Sequence, residues 1–367
     1  IILFNFVLNC NKMSLSDLTA DDISLSSDEE DPAPTRVFRE RMHPLDHYND
    51  QEFKDRYRIS KTVFFQLMGL LTHLEPMTQR NHAISAAEQV LLAISFYASG
   101  GFQITVADNV RVHKTTACRI IKKVSTEIAK LRPQFLKMPM TGADIAKVRN
   151  GFYAISGFPN VIGAVDCTHI KIQSPGGASA ELFRNRKGFF SLNVQAVCDA
   201  ELYIMDIICR WPGSVHDTTI FNDSHMRADF EMGVYGNNVL LGDSGYPCRK
   251  YLLTPFIQPT TASEEAYNHA QIAARNPIER CFGVLKRRFP CLSMGLRVKL
   301  DTAMHIVVAC AVLHNIALSH NDVVEDLPDM DLPTESIADY VSRTQICEQL
   351  IILTFYFKQV RTVLKKR

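Results

Sequence analysis

The fold class predicted from the sequence is α/β: a mixed sheet flanked by helices, preceded by an all-α block of helix-turn-helix type. Three observations predict it. Up to about residue 150, apolar residues recur at helical spacing. From 161 to 242, short runs rich in Val, Ile and Phe replace that pattern. Two long helical stretches then follow, over about 263–289 and 301–320. With 367 residues, 46% apolar and 22% charged, the composition excludes collagen-like, low-complexity and wholly disordered chains.

The chain reads as four segments: 1–44, 45–150, 151–320 and 321–367. Residues 1–32 hold Lys12 against Asp17, Asp21, Asp22, Asp28, Glu29, Glu30 and Asp31. With serines interspersed, 1–44 is expected to be a disordered acidic tail. The chain does not begin with Met, and Met13 reads as the true start. The two most apolar stretches, 1–9 and 350–357, fall short of the ~20 residues of a bilayer helix. No basic region precedes the first, so a signal peptide is a poor reading; the second reads as a core strand. No membrane is expected.

In 45–150, Phe53, Tyr57, Ile59, Val63, Phe64, Leu67, Leu70 and Leu71 have helical spacing, with Ser60 suited to cap. A second helix begins after Ser85, on Val90, Leu91, Ile94 and Tyr97, and breaks at Gly100-Gly101. A short helix over 103–109 and a turn near 110–113 follow. The next helix shows one stripe of Ala117, Ile121, Val124, Ile128 and Leu131, with Thr115 or Thr116 as cap. Its other face carries Arg119, Lys122, Lys123 and Thr126. Short helix, turn and basic-faced helix match the helix-turn-helix order, and a plain bundle with a solvated basic face fits it too.

In 151–320, strands are expected over 161–173, 189–199, 202–210 and 237–242, the second and third joined by a hairpin through 199–201. Four acids stand out. Asp166 lies in the apolar run Gly163-Ala164-Val165-Asp166-Cys167-Thr168-His169-Ile170, where a buried carboxylate costs several kcal/mol unless compensated. Asp217 follows the turn Trp211-Pro212-Gly213-Ser214. Asp243 ends an apolar strand. Glu279 shares a helix face with Asn276, Gly283 and Lys286, and Gly283 would admit a backbone or ligand beside it. Singly, each has a structural reading: Asp166 paired with a base in the core, Asp217 capping a helix, Asp243 in a turn, Glu279 paired with Lys286 or Arg275.

Formal net charge is +1. That figure is a cancellation: 1–32 carries −6 and 321–340 carries −7, while 33–320 carries +9. A basic body between acidic flanks points to a polyanion partner. The ten cysteines include no Cys-x-x-Cys pair, which speaks against a zinc site of paired spacing. They read as small buried residues in a reducing compartment.

Several separate motifs, in order, resemble the Harbinger-type transposases and the nuclease-like proteins derived from them, within the DDE superfamily. They are Val165-Asp166-Cys167-Thr168-His169-Ile170; Asn185-Arg186-Lys187-Gly188 with Ser191, Asn193 and Gln195; Trp211-Pro212-Gly213-Ser214 with His216-Asp217; Gly242-Asp243-Ser244-Gly245-Tyr246-Pro247; and Glu279-Arg280 with Phe282-Gly283 and Lys286 to Phe289. The resemblance spans about 46–320.

The resemblance implies a ribonuclease-H-like catalytic fold, with Asp166, Asp243 and Glu279 as the catalytic triad and Asp217 as a further metal ligand. It implies a metal-dependent nuclease cutting DNA phosphodiester bonds with Mg²⁺ or Mn²⁺, hard cations that take carboxylate oxygens. Clustered carboxylates repel, so without metal at least one pKa should rise, and metal binding should weaken toward acid pH. Arg184, Arg186, Lys187, Lys286, Arg287 and Arg288 flank the acids as candidate phosphate contacts, beside Arg119, Lys122 and Lys123. His169 and His216 adjoin the site in supporting roles. The expected partners are DNA, a Myb-like DNA-binding protein and a further copy of the chain, in the nucleus and also the cytoplasm. The alternative is a catalytically silent DNA-binding or partner-binding protein.

Overall fold

Residues 43–78 and 83–322 are described in the computed structural model. The acidic tail, most of the 321–367 segment and the stretch over 350–357 lie outside them.

Local cap chemistry sets the first helices. After α1 (Pro44–His47), α2 (Asp50–Tyr57) starts from Asn49, whose side chain accepts from Glu52 N–H while Glu52 accepts from Asn49 N–H. Ser60 caps α3 (Lys61–Leu70), as expected. Ser85 and Glu88 form the same reciprocal box for α4 (Ala86–Ser99), which ends at Gly100 in the left-handed conformation. α5 (Gln103–Asn109) and α6 (Lys114–Lys130) follow. His113, and not Thr115 or Thr116, caps α6: its imidazole lies over the first turn, where Nδ1 accepts from Thr115 N–H at 3.3 Å. Within 45–156, α7 (Arg132–Phe135) and α8 (Gly142–Ser156) were not anticipated. α8 buries Phe152 fully and Ile145, Val148 and Ile155 partly, along one face.

The sheet comprises β1 (Val161–Lys171), β2 (Ser191–Cys198), β3 (Ile204–Pro212), β4 (Val239–Leu241) and β5 (Leu252–Leu253), in the order β3-β2-β1-β4-β5. β1, β2 and β3 pair antiparallel, whereas β4 lies parallel to β1 and β5 parallel to β4. The mixed sheet flanked by helices is as the sequence predicts and is consistent with a ribonuclease-H-like fold. Asp199 makes the β2–β3 hairpin by accepting from Glu201 N–H and Tyr203 N–H, both at 2.9 Å. β5, two residues long, gave no sequence signal. Two short helices, α9 (Asp217–Asn222) and α10 (His225–Glu231), link β3 to β4. α11 (Ala262–Arg288), α12 (Cys291–Met294) and α13 (Leu300–Ser319) complete the described chain.

Side chains alternate across β1. Ala164 and Ile170 join a core that also takes in Phe53, Tyr97, Val124, Phe152, Leu285 and Val312. Val165 enters a second cluster on the opposite face with Val197, Phe221, Tyr246 and Leu252. The helices of 45–150 and the sheet thus share one core. α13 is the centre of that core. It is long and apolar enough to cross a membrane, yet 72% of its apolar window is buried inside the protein; it matches the helix expected over 301–320.

The far end of α11 is tied to the α2–α3 junction through a buried guanidinium. Arg288 is 0% exposed. Its Nη1 donates to the Arg58 carbonyl at 3.0 Å, its Nη2 to the Asp322 carbonyl, and it faces the Asp322 carboxylate at 3.7 Å. Asp322 in turn accepts from Ser60 N–H at 2.6 Å and pairs with Lys54 at 3.0 Å. Arg288→Ala is expected to lower unfolding free energy by about 3–5 kcal/mol, because it empties a large buried site, leaves the Arg58 and Asp322 carbonyls without their donor and takes one of two cations from the buried Asp322 carboxylate. Urea denaturation checks this; a loss under about 1 kcal/mol would show the pair to be no stronger than a surface one.

Candidate active site

Asp166 sits midway along β1, on the face covered by α11. Its carboxylate is 19% exposed and receives two partners. Cys167 N–H donates to Oδ1 at 2.7 Å, and Arg275 Nη1 of α11 donates to Oδ2 at 3.2 Å. Burial pushes its pKa up to about 6, with the Cys167 N–H and Arg275 pulling down and the charges of Asp243 and Asp217 adding to the rise. A raised pKa was expected from mutual repulsion; burial is the larger cause, because β1 is closed on both faces.

Glu279 joins Asp166 through the same guanidinium: Arg275 Nη2 donates to Glu279 Oε1 one helical turn on. Lys286, on the same helix, donates to Thr168 Oγ1 at 2.6 Å, two residues along β1 from Asp166. Gln271 Nε2 donates to the Gly242 carbonyl at 2.8 Å, fixing α11 to the end of β4 where Asp243 follows. Thus α11 is pinned to both strands that carry the aspartates. Gly283 faces open space, so no backbone approaches Glu279 there.

Asp243 turns the chain after β4, with Oδ1 accepting from Gly245 N–H at 3.0 Å. The Gly245 carbonyl accepts from Thr218 Oγ1 at 2.8 Å, joining this loop to the first turn of α9. Asp217 is the first residue of α9; His216 takes the cap position. Buried Asn193 of β2 donates from Nδ2 to Asp217 Oδ1 at 2.7 Å and to the Val215 carbonyl at 2.8 Å. Asp217 and Asp243 both lie within electrostatic reach of Asp166. Each carboxylate therefore also does a local structural task, as anticipated for Asp166, Asp243 and Glu279; Asp217 is not the expected cap but accepts from Asn193.

Positive charge gathers on the Asp217 side. Burial holds the His169 imidazole below its usual pKa, Asp217 opposes that, and Lys286, Lys187 and Arg186 reinforce it. All four groups therefore lie within electrostatic reach of His169. Its Nδ1 meets Ser191 Oγ at 3.0 Å, and Asn185 Nδ2 donates to that oxygen at 3.1 Å. Arg186 Nη2 donates to His216 Nδ1 at 2.5 Å. Burial lowers the Lys286 pKa. Arg287 is exposed further along α11. Two flanking cations are spoken for: Arg288 is buried in the Asp322 tie, and Arg184 pairs with Glu181 at 2.7 Å and stacks on Phe190.

Arg119, Lys122 and Lys123 form an exposed strip on α6. Lys122 pairs with Asp301 at 3.4 Å, and Lys123 donates to Gln89 Oε1 at 3.2 Å. α6 packs chiefly on α4, α5 and α13, so this strip is a group of its own. A cavity of about 630 Å³ between the 136–140 segment, β3 and α10 contains none of the four acids.

The donor set is entirely carboxylate oxygen, which suits a hard cation. Among the described residues no three His, Cys, Asp or Glu side chains stand close enough to hold one ion between them. The cation that Asp166 and Glu279 share is Arg275. Sequence reading had named Arg275 only as a partner of Glu279; its place four residues earlier on the same helix face was the available signal.

The description "DDE superfamily endonuclease" belongs to the family model that matches residues 165–315. The Homo sapiens protein "Putative nuclease HARBI1" is 36% identical over 298 residues, covering 79% of this chain and 85% of that protein. Its Mus musculus namesake is 34% identical over 323 residues, covering 85% and 92%. The Arabidopsis thaliana "Protein ALP1-like" is 24% identical over 317 residues, covering 80% and 76%. No solved structure matches the chain significantly.

Gly213 shows how tightly the loop before Asp217 is set. A Cβ there would stand 2.2 Å from Ser191 Oγ and 2.7 Å from the Phe183 carbonyl. Gly213→Ala is expected to cost about 1–3 kcal/mol and to disturb the His169–Ser191 contact. Thermal denaturation, with the His169 ring signals in NMR, would test this; an unshifted Tm and spectrum would contradict it.

Proposed function

The chain belongs to the family of Harbinger transposase-derived nucleases and carries a DDE superfamily endonuclease domain; from that premise we propose that it cuts DNA phosphodiester bonds with divalent metal. Asp166, Asp243 and Glu279 form the triad in this reading, and Asp217 is a further ligand. The observation that carries it is that Asp217 and Asp243 lie within electrostatic reach of Asp166, with Glu279 joined to Asp166 by one guanidinium.

Asp166, Asp217, Asp243 and Glu279 would hold the Mg²⁺ or Mn²⁺ ions of a two-metal site, which would supply an activated attacking oxygen and a stabilised leaving oxygen. The chain's own residues do the placing. Cys167 N–H, Gly245 N–H and Asn193 each fix one oxygen of Asp166, Asp243 and Asp217, which limits the directions those carboxylates can take. Arg186, Lys187 and Lys286 offer positive charge beside them for the DNA backbone, and Arg287 with Arg119, Lys122 and Lys123 extends it. His216 holds Arg186, and Thr168 holds Lys286. A DNA substrate implies nuclear residence, and a Myb-like protein would supply sequence recognition.

Purified protein incubated with end-labelled DNA is expected to cut it with Mg²⁺ or Mn²⁺ and not with EDTA. Asp243→Asn is expected to slow cleavage about 100- to 1,000-fold, the usual loss for one placed charge-stabilising group, with DNA binding retained. Equal cleavage by wild type and variant would remove the assigned site. Salt-sensitive binding with no cleavage of any DNA form would favour the silent binding protein instead. Binding should fall steeply with salt, and Lys187→Ala should reduce the log–log salt slope by about one; a flat salt response contradicts the backbone contacts.

A further inference from the structure

We infer that Arg275 is the resident counter-ion of the carboxylate cluster: it holds the place between Asp166 and Glu279 that a divalent ion takes, so ion entry requires the guanidinium to leave. The inference rests on the metal-site reading above and adds to it the residue against which the ion competes.

Three observations carry it. Asp166 Oδ1 accepts from the Cys167 N–H at 2.7 Å and Oδ2 from Arg275 Nη1 at 3.2 Å, so the only side-chain cation on Asp166 among the described residues is Arg275. Arg275 Nη2 occupies Glu279 Oε1, so one planar fork spans both carboxylates. The pair is largely withdrawn from water, with Arg275 14% and Asp166 19% exposed, so it is not a screened surface contact. A guanidinium and a divalent cation repel, and neither tolerates the other between the same two oxygens. Glu279 is 46% exposed, so the fork opens toward solvent at that end.

A residue that merely steadies the two carboxylates for the ion would do the opposite on removal, and the sign of the change separates the roles. Mn²⁺ affinity of the full chain would be measured by titration calorimetry, together with the Tm in chelator and in Mn²⁺. Arg275→Gln is expected to bind Mn²⁺ about tenfold more tightly, because a like charge has been removed. It should also melt lower than wild type in chelator and gain more Tm from Mn²⁺. Arg275→Lys keeps the charge without the fork and should fall between the two. Affinity equal to or weaker than wild type in folded Arg275→Gln would overturn the inference while leaving the metal site standing. Should Arg275→Gln fail to fold by circular dichroism, unchanged or weaker affinity in Arg275→Lys overturns it. Absence of Mn²⁺ binding in wild type and both variants would defeat the metal-site reading as well; binding by the variants alone would support the inference.

Discussion

A carboxylate in the middle of an apolar strand governs how this protein is put together. Withdrawing Asp166 from water costs several kcal/mol unless charge and hydrogen bonds compensate. The neighbouring elements supply both. Cys167 donates a backbone N–H, and α11 brings a guanidinium. To bring it there, α11 must lie in one register along β1. Lys286–Thr168 and Gln271–Gly242 fix that register at two further points. The same alignment sets Glu279 beside the Arg275 fork and seats α11 against the strand end where Asp243 begins. Organisation of the cluster thus follows from neutralising one buried charge.

How much of this was legible in the sequence depended on how local the cause was. Ser60 and Ser85 announced their helices because a cap needs only the next three residues. His113 did not, since an imidazole is a less common cap than the threonines beside it. α8 was legible and was missed: Ile145, Val148, Phe152 and Ile155 repeat at helical spacing and face the core. β5 was too short to show a period. α13 is apolar almost all round, which is the pattern of a helix enclosed by its own protein.

The candidate site was legible mainly through the order of its motifs. Residue by residue, the acids are ambiguous, because each also serves the backbone near it: Asp243 makes a turn with Gly245, and Asp217 opens α9. The contact that distinguishes Asp166 is with a residue 109 positions away, beyond any local pattern. Charge was similarly hidden. The basic residues separate into a group around His169 and a strip on α6, while Arg288, adjacent to them in sequence, is a core residue.

Arg288 has a consequence for modularity as well as for stability. It closes the helix that bears Glu279 onto the Arg58 carbonyl and onto Asp322, so the opening helices and the end of the described chain meet at one guanidinium. Such a seam makes the helical block a poor exchangeable cassette. Removal of 43–60 would take the Arg58 carbonyl and Lys54 from this cluster and leave the buried guanidinium and the Asp322 carboxylate open to water at the end of α11.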